Sequence, residues 1–73
     1  PTAEDVNYTQ KALADAWEII NRLFRTEGGS PGLLRMERDL YILKGGYLWW
    51  SGRYDDADYM LRGAVRKAMA IGE

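Results

Sequence analysis

The sequence predicts an all-α domain of three helices, and two observations lead to this prediction. Apolar residues recur every three or four positions through three segments of the chain, which is the spacing of one face of a helix. A Gly-Gly-Ser-Pro run at residues 28–31 and a Ser-Gly-Arg run at residues 51–53 separate these segments. The predicted helices span about residues 3–27, 31–51 and 54–71 of a single domain.

The first predicted helix is long and has a start signal, an apolar stripe and a stop signal. Thr2 is placed to accept a hydrogen bond from a backbone amide in an acidic first turn, and Gly28 ends the helix. Glu18 and Arg22 form an i,i+4 pair in the favourable order. The stripe consists of Val6, Leu13, Ala16, Trp17, Ile20, Leu23 and Phe24.

The second predicted helix begins with Ser30 as cap and Pro31 in the first turn. Its heptad-like apolar seam is Leu33, Met36, Leu40, Leu43, Tyr47 and Trp50. A second apolar set, Leu34, Tyr41 and Leu48, lies to one side of that seam. Because the helix is apolar over more than one stripe, we expect it to be central and to contact both neighbours.

Two features near the end of this helix decide its packing. Gly45 and Gly46 cost about 1 kcal/mol each relative to alanine, so they indicate either a close helix crossing, which we favour, or a hinge that moves on binding. Adjacent helical residues point about 100° apart, so the two neighbouring tryptophans cannot share a direction. We place Trp50 on the seam, and Trp49 beside Gly45 against the third helix or at the surface.

The third predicted helix has acidic residues near its start and basic residues near its end, which suits the helix dipole. Gly72 is placed to end it, and Gly63 is a weak point by helix propensity. Its predicted apolar face is Tyr54, Ala57, Leu61, Ala64, Val65, Ala68 and Ile71.

The second and third segments carry an ordered set of residues at fixed separations. The set is Tyr41, Gly45, Leu48, Gly52, Tyr54, Asp55, Asp56, Ala57, Leu61 and Ala64. In this order it resembles one tetratricopeptide repeat and covers about the last 34 residues. Lys44 stands where a leucine is usual, no proline follows Ile71, and residues 4–37 show no second copy.

The resemblance implies that the long N-terminal helix is followed by a tetratricopeptide-like antiparallel helix pair. In that arrangement Gly45 and Ala57 would be the close-contact pair, Tyr54 would wedge the turn, and Ala64 would pack beneath a following element. It also implies capture of a peptide or helix in a concave groove, chiefly by the first helix of the repeat, residues 38–50.

Composition excludes several classes of function. The net charge is −1, with 10 basic and 11 acidic residues, and acidic residues interrupt the basic ones of the last two helices, which argues against nucleic acid and membrane surfaces. No apolar run approaches the roughly 20 residues of a membrane span, and no signal peptide pattern begins the chain, so we expect a cytoplasmic protein.

The sequence contains no histidine and no cysteine, which removes the commonest nucleophiles, bases and zinc ligands. We therefore predict no enzyme, cofactor or metal site. Asp55 and Asp58 would share a helix face that could hold a cation, but the helix dipole alone explains acidic residues there. The glycine-rich loop at residues 28–30 resembles an anion-binding loop but lacks its strand and lysine, so we interpret it as a connector.

We expect a small non-catalytic protein–protein interaction module, such as an adaptor, chaperone or inhibitor, that binds a partner helix or peptide. The predicted surface comprises Tyr41, Tyr47, Trp49 and Trp50, with Arg38, Lys44 and Arg53 as rim charges that orient an acidic partner. The alternative is a regulatory homodimer whose aromatic seam is the interface, supported by the heptad spacing of the first two helices. A nucleic-acid-binding regulator and a small enzyme or ligand carrier have less support.

Overall fold

The computed structural model describes residues 2–72 and is all-α. Its three helices are α1 (Ala3–Glu27), α2 (Pro31–Trp50) and α3 (Tyr54–Ala70). The three-helix fold class is confirmed, and each helix begins and ends within one residue of its predicted boundary. Across residues 2–72, every helix is too short or too polar to cross a lipid bilayer.

The helix boundaries follow from local hydrogen bonds. The Oγ1 of Thr2 accepts from the amide of Asp5 at 3.1 Å, and the Oγ of Ser30 accepts from the amide of Leu33 at 3.3 Å. Gly28 ends α1 with a φ of 74°, a left-handed backbone that favours glycine. These three predicted boundary signals are confirmed.

The helices form a layer with α2 in the middle, as the sequence predicts. α2 packs on both neighbours, whereas no Cα atom of α1 lies within 8 Å of one in α3. The layer measures 37 × 23 × 13 Å along its principal axes. Its core is thin, because no large side chain in the described part of the chain is fully buried. The buried apolar residues are Ile20, Leu33, Leu40, Leu48, Ala57 and Ala64.

α2 and α3 approach each other through glycines. A Cβ atom added to Gly45 would lie 2.7 Å from Cγ of Leu61 and 3.5 Å from the carbonyl oxygen of Ala57, which confirms the predicted close crossing. A Cβ added to Gly63 would lie 2.9 Å from the ring of Tyr41. The expectation that Gly63 weakens α3 is therefore incomplete, because its missing side chain makes room for that ring.

Neighbouring helices cover only part of the predicted apolar seam of α2. Leu33 and Leu40 are buried, but Met36, Leu43 and Trp50 are exposed, so the predicted seam, on which Trp50 lies, is not buried along its whole length. The reason is the position of α3, which packs on the side of α2 that carries Gly45 and Leu48 and leaves one flank of the seam to solvent.

The predicted apolar face of α3 is also too broad on one side. Ala57 and Ala64 are buried as expected, whereas Tyr54 and Val65 are exposed. Because the two helices are so close at Gly45, only a narrow strip of α3 fits against α2. Tyr54 therefore lies beside the ring of Trp49 at the surface rather than inside the turn.

Candidate binding groove

A groove runs across the face of α2 that lies between α1 and α3. It consists of three adjoining cavities of about 260, 210 and 220 Å³. The first two share Lys44, Leu48 and Arg53, and the second and third share Tyr59, so the three cavities follow one another from α1 to the last turn of α3. We call this groove the central groove.

Two aromatic rings, tilted by 40° to each other, and two lysines form the floor of the central groove. The rings of Trp17 and Tyr41 lie 5.3 Å apart between centroids. The Nζ of Lys44 lies 5.5 Å from the Trp17 ring centroid, and the Nζ of Lys67 lies 4.6 Å from that of Tyr41. Both are cation–π distances, and the space above Gly63 admits the Tyr41 ring. The floor therefore presents positive charge on an aromatic base.

The lining of the central groove carries more positive than negative charge. Its one acidic residue is Asp56, and its basic residues are Lys44, Arg53, Arg66 and Lys67. The Nζ of Lys67 lies 2.8 Å from a carboxylate oxygen of Glu37, and Arg53 pairs with Asp56 at 2.6 Å. The other two basic groups form no salt bridge to a carboxylate within residues 2–72. The groove therefore suits a negatively charged segment.

Four of the seven predicted surface residues line this groove: Tyr41, Lys44, Tyr47 and Arg53. Trp50 packs at its margin, with its ring centroid 6.3 Å from that of Tyr47. Sequence reasoning missed the contributions of α1 and α3. On α3 a signal existed, since Tyr59, Gly63, Arg66 and Ala70 recur at steps of three and four beside the apolar face.

The other two predicted residues lie elsewhere. Trp49 follows Lys44 by five positions, so its side chain points about 140° away around α2. Its ring packs edge-on against Tyr54, with centroids 6.2 Å apart. Arg38 donates from Nε and Nη2 to one carboxylate oxygen of Asp39 at 3.1 and 3.0 Å. The seven residues thus do not form one surface.

A second depression of about 360 Å³ lies on the opposite side of the α1–α2 contact. We call it the apolar notch. It exists because Met36 and Leu43 belong to the uncovered flank of the α2 seam. Its lining is apolar apart from one carboxylate and consists of Ala16, Ile19, Ile20, Met36, Asp39, Leu40 and Leu43.

The acidic start of α3 is engaged in ion pairs. Besides the Arg53–Asp56 pair, Asp58 accepts from Nε of Arg62 at 2.8 Å. No group of three or more side chains of the metal-ligating types comes together in residues 2–72. Within the described chain, these aspartates act as helix-start charges and salt-bridge partners.

Comparison with protein-family models, curated protein sequences and solved structures finds no match to this chain. The central groove and its chemistry are therefore the basis for a functional proposal.

Proposed function

We propose that this protein is a small non-catalytic interaction module that holds an acidic peptide segment of a partner protein in the central groove. The observation that carries the proposal is the ammonium group of Lys44, which lies on the Trp17 ring at the junction of two of the three cavities. A carboxylate there would gain a charge-assisted hydrogen bond, and an apolar neighbour would pack on the aromatic floor.

Two further features support this assignment. The groove is open along its length, so a segment of chain can lie in it without being enclosed. The resemblance of residues 38–71 to a tetratricopeptide repeat is consistent with peptide capture by α2, which supplies the groove floor. Adaptor, chaperone and inhibitor roles all use such a surface.

A labelled-peptide experiment tests the proposal. The probe is a fluorescent octapeptide with glutamates on both sides of a central Leu-Phe pair, and the control peptide replaces each glutamate by lysine. We expect fluorescence anisotropy to detect binding of the acidic peptide alone, with affinity falling as salt rises because exposed charges are screened. Equal binding of both peptides would contradict the proposed charge preference.

A matched pair of protein variants locates the site. Lys44→Gln removes the groove ammonium, whereas Lys11→Gln makes the same change on the exposed side of α1. We expect a roughly tenfold loss of acidic-peptide affinity for Lys44→Gln, as when one charged hydrogen bond is removed, and little change for Lys11→Gln. Equal losses in the two variants would indicate non-specific attraction and rule out the groove.

A further inference from the structure

The α2–α3 hairpin exposes a second apolar surface on the side away from the central groove. Leu61 and Val65 each lie two positions from Gly63, a groove residue, so their side chains point about 160° away from it. Trp49 and its ring partner Tyr54 continue this surface toward the turn. We call it the outer face; its exposed members are Ile42, Trp49, Tyr54, Leu61, Val65 and Met69.

The outer face is large for a chain of this size. Its six residues are 39% to 71% exposed. At about 200 Å² for a fully exposed large side chain, they present roughly 650 Å². The largest apolar patch on an ordinary monomer is roughly 300 to 600 Å², whereas each partner in a standard protein–protein interface buries about 800 Å². The exposed apolar area of the outer face is therefore close to the area that each partner buries in a stable dimer.

The outer side of α3 has the spacing of a helix-pairing seam. Steps of four, three, four and three within α3 join Tyr54, Asp58, Leu61, Val65 and Ala68. This alternation is the seam of a helix that packs lengthwise against another helix. Within the described chain no helix covers most of this seam, because α2 contacts α3 along the neighbouring strip that carries Ala57 and Ala64. α2 reaches the seam at Leu61, whose side chain packs over Gly45 and stays 39% exposed.

The seam is complementary to itself when two copies run antiparallel around Leu61. Tyr54 and Ala68 both lie seven positions from Leu61, so the large ring of one copy meets the small side chain of the other. Asp58 and Arg62, which pair with each other at 2.8 Å within one chain, lie on opposite sides of Leu61, so each carboxylate would also come near a guanidinium of the second copy. A two-fold interface requires this match of large to small and acid to base.

We propose that the outer face binds a second copy of this chain, with α3 packed antiparallel on α3 and the two-fold axis near Leu61. The central groove lies on the far side of each hairpin, so both grooves stay open in the dimer. The dimer does not depend on what the groove binds. This α3–α3 interface differs from the aromatic seam that the sequence analysis considers as a homodimer interface.

Solution mass across a hundredfold concentration range, measured by light scattering, tests the dimer. We expect the purified chain to approach twice its mass of 8.4 kDa at the upper concentrations. Val65→Glu should weaken the dimer at least tenfold, since it places a charge on the buried interface. A monomer at every concentration would overturn the proposal.

Leu43→Glu is the matched control for Val65→Glu. Leu43 is 60% exposed and Val65 59% exposed, so both variants place the same charge on an accessible helical position. Leu43 lies in the apolar notch and not on the outer face. We expect Leu43→Glu to leave the dimer intact, and both variants to keep the helical circular dichroism of the parent. If Leu43→Glu dissociates the dimer as readily, the interface is elsewhere and the outer face is excluded.

A disulfide experiment tests the position of the axis, because the chain has no cysteine of its own. In Leu61→Cys the two introduced thiols would meet across the two-fold axis, whereas in Leu43→Cys they would be far apart. With oxidised glutathione we expect Leu61→Cys to form covalent dimers at least tenfold faster than Leu43→Cys. Equal rates would overturn the antiparallel arrangement. Acidic-peptide binding is also measured on Val65→Glu, which we expect to be monomeric. The proposal for the groove and the proposal for the dimer can then fail independently of each other.

Discussion

The two helix–helix interfaces of this protein are built from different kinds of residue. α2 and α3 meet through Gly45, Gly63 and alanines, so their backbones come close. α1 and α2 meet through large side chains such as Trp17 and Ile20, so they stand further apart and pack less extensively. The α2–α3 interface leaves no room for a side chain at Gly45 or Gly63. The α1–α2 interface has an open cavity on each side.

This difference separates a crossing that admits no added atom from a contact that has gaps beside it. Small residues at a crossing fix the distance between helices, because any added atom must displace a neighbour. Large residues hold helices apart and leave gaps beside the contact. The apolar notch and the first cavity of the central groove adjoin the α1–α2 interface, whereas the other two cavities of the groove are lined by the hairpin alone. The docking of α1 therefore shapes one end of the groove, and α2 and α3 form the rest.

The largest effect on stability should come from filling the close crossing. In Gly45→Leu the side chain would overlap Leu61, so we expect a loss of about 3 kcal/mol in the free energy of unfolding. Gly46→Leu is the control, because a Cβ atom there meets nothing within 4 Å. It should gain about 1 kcal/mol from helix propensity. Urea unfolding followed by circular dichroism measures both, and an unchanged midpoint in Gly45→Leu would show that the crossing is not close.

The next effect concerns the α1–α2 interface. Ile20 is the one buried residue of α1, so Ile20→Ala should cost about 2 to 3 kcal/mol. Ile19→Ala removes the same atoms from the adjacent, exposed position and should cost less than about 0.5 kcal/mol. Hydrogen exchange should show the loss of protection in Ile20→Ala confined to α1. A uniform loss over all three helices would mean that α1 and the hairpin unfold as one unit.

A smaller effect is expected from the ion pair that joins α2 to α3. Glu37 and Lys67 are each about one quarter to one third exposed, so solvent screening limits their coupling to about 0.5 to 1 kcal/mol. A double-mutant cycle with glutamine at both positions measures this coupling in urea unfolding. The exposed Glu18–Arg22 pair of α1, at 3.6 Å, should couple by about 0.3 kcal/mol. Equal coupling in the two pairs would show that an ion pair between two helices contributes no more here than one within a single exposed helix face.

Local chemistry made the helices and the Gly45 crossing predictable. Thr2, Ser30 and Gly28 act within a few residues of themselves, so their roles can be read from the sequence alone. The burial of the seam could not be read in the same way. Periodicity tells which residues share a face, but it does not tell how much of that face a neighbouring helix covers, as Met36 and Leu43 demonstrate.

The groove was predictable in part. Tyr41, Lys44, Tyr47 and Arg53 can be predicted because aromatic and basic residues cluster in the second half of α2 and just after it. Trp49 is close to these residues in sequence but packs on Tyr54 outside the groove, because each residue of a helix is turned by about 100° from the one before it. The role of Trp17 depends on the angle at which α1 and α3 flank α2, and no local pattern sets that angle.

The layer order also has a consequence for the speed of folding. Backbone packing joins only helices that are adjacent in sequence, since the Cα atoms of α1 and α3 stay more than 8 Å apart. No distant segments must find each other before the structure forms, so the entropy of chain closure is low. Helical proteins with such local topology fold in microseconds to milliseconds. We therefore expect this chain to reach its native state far faster than a β-sheet domain of equal length.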